Sequence, residues 1–219
     1  MHPANSETIA IAVFSRAPVA GQAKTRLIPA LGAENAANLQ ASFLRQTLQT
    51  AISARLGPVF LWCVPDCAHP AFQQSTADYD YALTLHQQCD GDLGKRMLTA
   101  FEQLCSQYPV LLIGTDCPAL TTAHLHRAAA VLQQGDDAVF LPAEDGGYVL
   151  IGLRQAEASL FTDMPWGSAK VMAETRRRLL QAGLRWQEPV LLWDVDEPED
   201  LAKMRSSGLM NEWFEENMT

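Results

Sequence analysis

The chain of 219 residues has few basic residues, no paired cysteines and no long apolar runs. Sixteen Lys and Arg against 25 Asp and Glu leave a formal net charge of −9, which argues against non-specific binding to nucleic acids. No apolar run approaches the roughly 20 residues that a membrane-spanning helix needs. Residues 1–8 lack the basic and apolar regions of a signal peptide. We therefore expect a soluble cytoplasmic protein that binds neither nucleic acids nor membranes.

Several catalytic motifs are also absent. The chain has no Gly-x-Ser-x-Gly elbow and no GxGxxG fingerprint, which disfavours a hydrolytic serine and a nicotinamide dehydrogenase. The cysteines form no CxxC pair and no zinc spacing, and their odd number is typical of reduced thiols rather than of a disulfide framework. They are Cys63, Cys67, Cys89, Cys105 and Cys117.

Apolar runs of strand length alternate with helical patterns along the whole chain. The runs predict strands over 8–14, 58–64, 82–87, 109–114, 137–142, 148–153 and 189–195, and helices over 34–56, 94–108, 121–134, 168–182 and 197–206. Apolar strands separated by helices are typical of a mostly parallel sheet covered on both faces. We expect a single α/β domain over residues 1–219, with ligands bound beyond the carboxyl ends of its strands.

The first predicted strand leads into a basic loop that contains Arg16, Lys24 and Arg26, with Gly21 where the chain can turn. A P-loop is excluded because Gln22 and Ala23, rather than the glycine that the motif requires directly before its lysine, precede Lys24 and Thr25. Guanidinium and ammonium groups suit the oxygens of a diphosphate. A solvated basic turn ahead of a helix is the alternative interpretation, and the residue types alone do not separate the two.

Asp116 follows the predicted strand 109–114 within the sequence Thr-Asp-Cys-Pro. An aspartate in this place can hold a divalent cation against a phosphate. It can also cap the next helix, but Thr121 and Thr122 are better placed as that cap. The sequence therefore favours metal binding by Asp116.

Asp194 and Asp196 lie two residues apart near the end of the last predicted strand, and they share one face if that strand continues through them. The acids and the proline of Glu197-Pro198-Glu199 are typical of a first helical turn. Taken alone, Asp196 is better interpreted as a helix N-cap than as a metal ligand.

A fourth polar stretch, residues 144–148, consists of Glu144, Asp145, Gly146, Gly147 and Tyr148. Its glycines permit close approach of a ligand, and the tyrosine offers a stacking face or a hydroxyl. A hairpin turn explains the same residues equally well.

Two further stretches are weaker. Gly91, Asp92 and Arg96 precede or begin a predicted helix, whose N-terminus suits an anion or a base. Trp166 is either a stacking residue near a sugar or part of the core.

Six stretches in order resemble the rSAM/selenodomain-associated transferase 1 family. They are VFSRAPVAGQAKTRL, GDLGKRM, LLIGTDCPAL, PAEDGGYVLIGL, PW and WDVDEPEDL, and the resemblance runs from about residue 9 to residue 201. This family is also described as arsenosugar-biosynthesis-type glycosyltransferases, within the nucleotide-diphospho-sugar transferase superfamily. The resemblance implies a GT-A type fold, a three-layer sandwich with a mostly parallel mixed sheet.

The resemblance also implies residue roles. Nucleotide binding falls to Arg16, Gly21, Lys24, Arg26, Gly91, Asp92 and Arg96, and binding of Mg²⁺ or Mn²⁺ falls to Asp116 and Asp196. The sugar or acceptor pocket falls to Glu144, Asp145, Gly146, Gly147, Tyr148 and Trp166.

The activity implied is that of a metal-dependent glycosyltransferase with a nucleotide-diphospho-sugar donor and a small-molecule acceptor. Lys24 and Asp116 would stabilise the leaving diphosphate, and Asp145 or Glu144 would serve as the base of an inverting transfer.

The sequence Thr-Asp-Cys-Pro at residues 115–118 departs from the Asp-x-Asp that such enzymes usually have. A guanylyltransferase-like nucleotidyltransferase that releases pyrophosphate, as in molybdenum cofactor and 2-phospho-lactate guanylyltransferases, is therefore the alternative. A non-catalytic nucleotide-binding protein is a third, and the oligomeric state stays open.

Overall fold

A seven-stranded β-sheet lies at the centre of the protein. The computed structural model describes residues 7–79 and 83–217. Within them the strands are β1 (Ala10–Arg16), β2 (Val59–Val64), β3 (Leu83–Gln87), β4 (Val110–Ile113), β5 (Ala138–Pro142), β6 (Tyr148–Leu153) and β7 (Trp186–Gln187). Their spatial order is β3-β2-β1-β4-β6-β5-β7, and among these strands only β6 runs antiparallel to its neighbours. The predicted α/β class with a mostly parallel mixed sheet is confirmed.

Helices cover both faces of this sheet. They are α1 (Ile28–Leu31), α2 (Ala33–Ser53), α3 (Pro70–Thr76), α4 (Leu93–Leu104), α5 (Thr122–Gln133), α6 (Val171–Ala182), α7 (Pro198–Ser206) and α8 (Asn211–Asn217). Successive residues of a strand point to opposite faces. Accordingly Ile11 and Val13 of β1 pack with α2, α3 and α5, whereas Ala12 and Phe14 pack with α4 and α6. Across the described residues, no helix is both long and apolar enough to cross a membrane.

A third apolar cluster fixes the C-terminal helices. Trp213 and Phe214 of α8 and Met204 of α7 are buried together with residues of α1 and α2. Val195, which immediately precedes Asp196, belongs to the same cluster. This packing holds the segment before α7 against the first loop.

The strand predicted over 189–195 is wrong. The seventh strand is the two-residue β7, and the segment after it makes a single bridge, between Ala143 and Leu192. Pro189 has no amide hydrogen to donate to a ladder, which helps to explain why pairing stops. The chain then reaches the loop that follows β4, where the Val195 amide donates to the Asp116 carbonyl at 2.9 Å. The other predicted strands and helices are present with ends shifted by a few residues; residue 82 lies outside the described part of the chain.

Candidate active site

The basic loop and Asp116 lie at the same edge of the sheet because β1 and β4 are parallel neighbours. After β1, Gly21 turns the chain with a φ of 79°, and Lys24 has a left-handed backbone with φ 47° and ψ 45°. Such a conformation costs a residue with a side chain about 1–3 kcal/mol, so surrounding contacts must hold it. For Lys24 those contacts come from two distant parts of the chain.

The Lys24 ammonium lies among three oxygen atoms. Its Nζ is 2.6 Å from Asp116 Oδ1 and 2.9 Å from Asp196 Oδ1, and it donates to the Val195 carbonyl at 2.6 Å. The Lys24 side chain is 5% exposed, whereas those of Asp116 and Asp196 are 42% and 46% exposed. Burial alone would lower the pKa of Lys24, but the two carboxylates outweigh it and raise that pKa above its usual value. The lysine is therefore a buried, permanently charged centre of the site.

Neither aspartate is occupied as a helix cap. Thr121 caps α5 by accepting from the His124 amide at 3.4 Å, as the sequence predicts. The N-cap residue of α7 is Glu197, so the N-cap interpretation of Asp196 is wrong. Both carboxylates remain available to a cation.

The oxygen set around Lys24 suits a hard divalent cation. The described residues contain no group of three or more His, Cys, Asp or Glu side chains that could hold a metal ion. Mg²⁺ is commonly held by one or two carboxylates and completes its shell with substrate phosphates and water, and Mn²⁺ prefers the same oxygen ligands. The buried ammonium stands between Asp116 and Asp196 as an internal cation. The residues present therefore fit a metal that arrives with a phosphate ligand.

A cavity of about 470 Å³, here called the polar cavity, opens beside Lys24. Arg16, Arg26 and Asp116 also line it. Arg26 is 61% exposed and pairs with Glu197 at 3.0 Å. The polar cavity thus collects all three basic side chains of the first loop.

A second cavity of about 320 Å³, here called the aromatic cavity, adjoins the first. Its walls include Phe14, Tyr148 and Trp166. Phe14, Arg16 and Asp116 line both cavities, so the two form one continuous cleft. Asp116 therefore lies where the cavities meet.

Three carboxylates line the aromatic cavity, those of Asp116, Asp145 and Asp194. Burial, reinforced by the charges of Asp145, Asp196 and Asp116, raises the pKa of Asp194 to about 7. Burial also raises the pKa of the Tyr148 phenol above its usual value. This end of the cleft therefore places three carboxyl groups beside the guanidinium groups of Arg16 and Arg96.

The stretch 144–148 is both a hairpin turn and a wall of the aromatic cavity. It connects β5 to β6, and Asp145 Oδ1 accepts from the Gly147 amide at 2.8 Å. Gly146 has a φ of 93°, and a Cβ there would lie 2.3 Å from the Ala169 carbonyl oxygen. Asp145, Gly147 and Tyr148 line the cavity. Glu144 does not: it is exposed and pairs with Lys203 at 2.6 Å, outside both cavities.

The nucleotide-binding residues predicted in and just before α4 lie in different surroundings. Arg96 lines the aromatic cavity and not the polar one. Asp92 caps α4, accepting from the Lys95 amide at 2.8 Å, and Gly91 packs against the Lys95 side chain. Gly91, Asp92 and the exposed Gly21 line neither cavity.

Gln40 is a site residue that the sequence reasoning missed. It lies in the middle of α2, is buried, and donates to Thr115 Oγ1 at 3.0 Å while lining the polar cavity. The sequence did contain a signal for this position. Gln40 lies four residues after Ala36 and four before Leu44, so it shares the apolar face of α2, where a glutamine is unusual.

Solved transferase structures share this fold. A provisionally assigned nucleotide-diphospho-sugar transferase from Desulfovibrio desulfuricans G20 is 29% identical with a TM-score of 0.83, over 97% of this chain and 92% of that one. A 4-diphosphocytidyl-2C-methyl-D-erythritol synthase from Anaerococcus prevotii DSM 20548 is 10% identical with a TM-score of 0.63, over 93% and 96%. A CMP:2-keto-3-deoxy-manno-octonic acid synthetase complexed with CTP is 13% identical with a TM-score of 0.55, over 92% and 98%.

The last two likenesses show the fold alone, and the first supports placement in the nucleotide-diphospho-sugar transferase superfamily. No curated protein matches this chain. One family model, described as "Uncharacterized protein conserved in bacteria (DUF2064)", matches residues 47–168, which is more than half of the 219 residues. The matched segment includes Asp116, Asp145 and Trp166, but not Lys24 or Asp196. The chain therefore belongs to the DUF2064 family.

Proposed function

We propose that the protein is a metal-dependent glycosyltransferase that moves a sugar from a nucleotide-diphospho-sugar to a small-molecule acceptor. The observation that carries this proposal is the position of the Lys24 ammonium, 2.6 Å from Asp116 and 2.9 Å from Asp196 where two cavities meet. Positive charge at that junction suits a diphosphate whose negative charge grows as its bond to the sugar breaks.

The polar cavity is the proposed diphosphate site. Arg16 and Arg26 can bind phosphate oxygens through their guanidinium groups, and Lys24 through its ammonium. Asp116 and Asp196 would hold Mg²⁺ or Mn²⁺, which when bound supplies Lewis-acid stabilisation of the departing phosphate oxygen. Lys24 then exchanges carboxylate oxygens for phosphate oxygens and keeps its charge throughout.

The aromatic cavity is the proposed site of the sugar and the acceptor. Tyr148 and Trp166 offer ring faces for the apolar faces of a sugar. In an inverting transfer, the acceptor oxygen bonds to the anomeric carbon while the bond from that carbon to the diphosphate oxygen breaks. The acceptor proton passes to Asp145, and the electron pair leaves with the nucleoside diphosphate. Asp145 is the proposed base because it lines the cavity, whereas Glu144 lies outside it.

Two likenesses support this proposal. The Desulfovibrio protein with 29% identity has a provisional assignment as a nucleotide-diphospho-sugar transferase. The six ordered stretches that resemble the rSAM/selenodomain-associated transferase 1 family support the finer family placement.

Nucleotidyl transfer is the second candidate. It is favoured by the lone Asp116 after β4, where a glycosyltransferase of this fold usually has Asp-x-Asp. The same basic residues would then stabilise in-line attack on an α-phosphate, with pyrophosphate as the product and no essential carboxylate base.

The released product separates the two reactions. The protein is incubated with Mn²⁺ and either nucleotide-sugars plus a panel of small alcohols, or nucleoside triphosphates plus sugar phosphates. Nucleoside diphosphate from the first mixture supports glycosyl transfer, whereas pyrophosphate from the second overturns it in favour of nucleotidyl transfer. Nucleotide binding without either product indicates a non-catalytic protein.

A pair of adjacent acids then tests the base. Asp145→Asn is expected to lower kcat about 10²–10⁴-fold, because it removes the proton acceptor. Glu144→Gln is the matched control and should leave kcat unchanged, since Glu144 lies outside the cleft. Equal rates for the two variants would contradict the assignment of Asp145.

A further inference from the structure

Two buried hydrogen-bond donors in the aromatic cavity lack a partner among the described residues. They are Nε of Arg96 and Nε1 of Trp166. Both groups can only donate, since neither a guanidinium nor an indole nitrogen has a lone pair to offer. Buried donors without acceptors are uncommon in native proteins because an unpaired polar group is costly to bury. Trp166 Nε1 faces Gly94 of α4, so an acceptor supplied from the cavity is expected at the guanidinium of Arg96 rather than at the indole.

Arg96 has no ion-pair partner in the part of the chain that the structure describes, although three carboxylates line the same cavity. Arg26 pairs with Glu197, and Lys24 lies between two carboxylates, but the half-buried Arg96, like Arg16, makes no such ion pair. Arg96 lines only the aromatic cavity, so it is separate from the cluster proposed to bind the diphosphate. The missing acceptor is therefore best matched by an anionic group.

Arg96 and Trp166 approach the cavity from the same place. A Cβ on Gly94 would lie 2.7 Å from Trp166 Nε1, so the indole packs on the first turn of α4, which also carries Arg96. Asp145 and Asp194 come from other elements, the β5–β6 turn and the segment before α7. Donors and carboxylates thus belong to different walls of one cavity.

We propose that the acceptor substrate is a hydroxy acid or a phosphorylated alcohol, whose carboxylate or phosphate is bound by Arg96 beside the ring of Trp166. This proposal rests on the proposed function, since the hydroxyl group of the acceptor is then the nucleophile that faces Asp145. Arg96 is a specificity-determining residue for the acid, and Trp166 supplies a ring wall. A neutral alcohol of the same size leaves the Arg96 guanidinium without an ionic partner and binds more weakly.

The indole ¹⁵N–H signals of the full chain provide a direct test that does not depend on turnover. The chain has five tryptophans, and Trp166→Phe identifies the signal of interest. Protein saturated with UDP and Mg²⁺ is titrated with glycerol 3-phosphate, or with glycerol as the neutral probe. We expect glycerol 3-phosphate to shift the Trp166 signal and glycerol to leave it unchanged.

Arg96→Gln is expected to weaken the glycerol 3-phosphate titration about tenfold to a hundredfold, as loss of a charge-assisted contact does, with UDP affinity within about twofold of wild type. The matched control is Arg127→Gln, which removes an exposed guanidinium of α5 outside both cavities. An unshifted Trp166 signal, or an Arg96→Gln variant that loses UDP affinity instead, would overturn the proposal.

The same titration without nucleotide separates this proposal from the proposed function. If wild-type protein binds no nucleoside diphosphate but glycerol 3-phosphate still shifts Trp166 through Arg96, the acid site stands and the glycosyltransferase proposal fails. If nucleotide binds and both acid and alcohol leave Trp166 unchanged, the acid site fails alone.

Discussion

The two cavities of the cleft differ in how their buried charges are balanced. In the polar cavity, the ammonium of Lys24 already has three oxygen partners. In the aromatic cavity, donors on Arg96 and Trp166 have none among the described residues, while Asp194 has carboxylates as neighbours. The difference indicates that the polar cavity balances its buried charge without a ligand. We propose that a phosphate replaces carboxylate oxygens at Lys24 in the polar cavity, whereas an anionic substrate in the aromatic cavity adds a partner for Arg96.

Among the changes that test this comparison of the two cavities, the largest effect is expected from Asp116, because it alone of the carboxylates lines both cavities. Asp116→Ala should lower turnover about 10²–10³-fold, the usual cost of removing one group that stabilises a developing charge. Steady-state kinetics measures this loss, and circular dichroism checks that the variant is folded. A folded variant with wild-type turnover would remove Asp116 from the mechanism.

The next effect concerns the wall of the aromatic cavity. Gly146→Ala combines a left-handed backbone with a Cβ that meets the Ala169 carbonyl, so we expect about 2–4 kcal/mol less unfolding free energy. Gly183→Ala is the control: its φ is 68° but its Cβ would meet nothing, so strain alone should cost about 1–2 kcal/mol. Urea unfolding compares them. Equal losses of unfolding free energy in the two variants would contradict the expected clash, because the backbone at Ala169 would then shift to accommodate the added methyl group.

Lys24→Met tests whether the Lys24 ammonium balances the negative charges of Asp116 and Asp196 in the polar cavity. Without the ammonium, Asp116 and Asp196 repel each other, so Tm should fall by a few degrees, at about 2–4 °C per kcal/mol for a chain of this size. Mn²⁺ should restore more stability to this variant than to wild type without nucleotide, because a cation can then take the vacated place. Lys203→Met, which breaks one exposed pair with Glu144, is the control and should change Tm little. Equal Mn²⁺ responses would contradict this account.

Asp194 is expected to have a different kind of effect, a pH dependence of stability. Its pKa is about 7 in the folded protein and about 3.9 in an unfolded chain. Between those values the folded state binds more protons, so this contribution is present below about pH 4 and is lost as pH rises through about 7. Asp194→Asn does not titrate, so the wild type should lose stability relative to the variant between about pH 5 and pH 8. Urea unfolding in EDTA measures this, and parallel curves would contradict the raised pKa.

The sheet and most helices could be predicted because their signal is local. Apolar runs such as 148–153 and the helical spacing in α2 identify the elements without tertiary information. The strand prediction for residues 189–195 failed because the apolar pattern there reflects tertiary contacts. This segment crosses the sheet edge and packs on neighbouring elements, and it does not pair along a strand. Periodicity does not distinguish these cases.

For the site, the order of strands along the sequence identified the polar residues that follow each strand. Lys24 and Asp116 come together because β1 and β4 are parallel neighbours. Roles that depend on three-dimensional neighbours were beyond the sequence. Glu144 and Asp145 are adjacent, yet one pairs with Lys203 and the other lines the cleft. Asp92 and Arg96 both belong to one short motif, but Asp92 caps α4 while Arg96 lines the aromatic cavity.

The most direct test of the central claim, that Lys24, Asp116 and Asp196 form a cation-assisted phosphate site, is calorimetric titration of nucleoside diphosphates. ADP, CDP, GDP and UDP are titrated into wild type and Asp116→Ala, in Mn²⁺ and in EDTA. The account predicts that wild type binds its nucleotide about tenfold or more tightly in Mn²⁺ than in EDTA, and that Asp116→Ala binds equally weakly in both. Wild-type affinity that is the same in Mn²⁺ and in EDTA would contradict it.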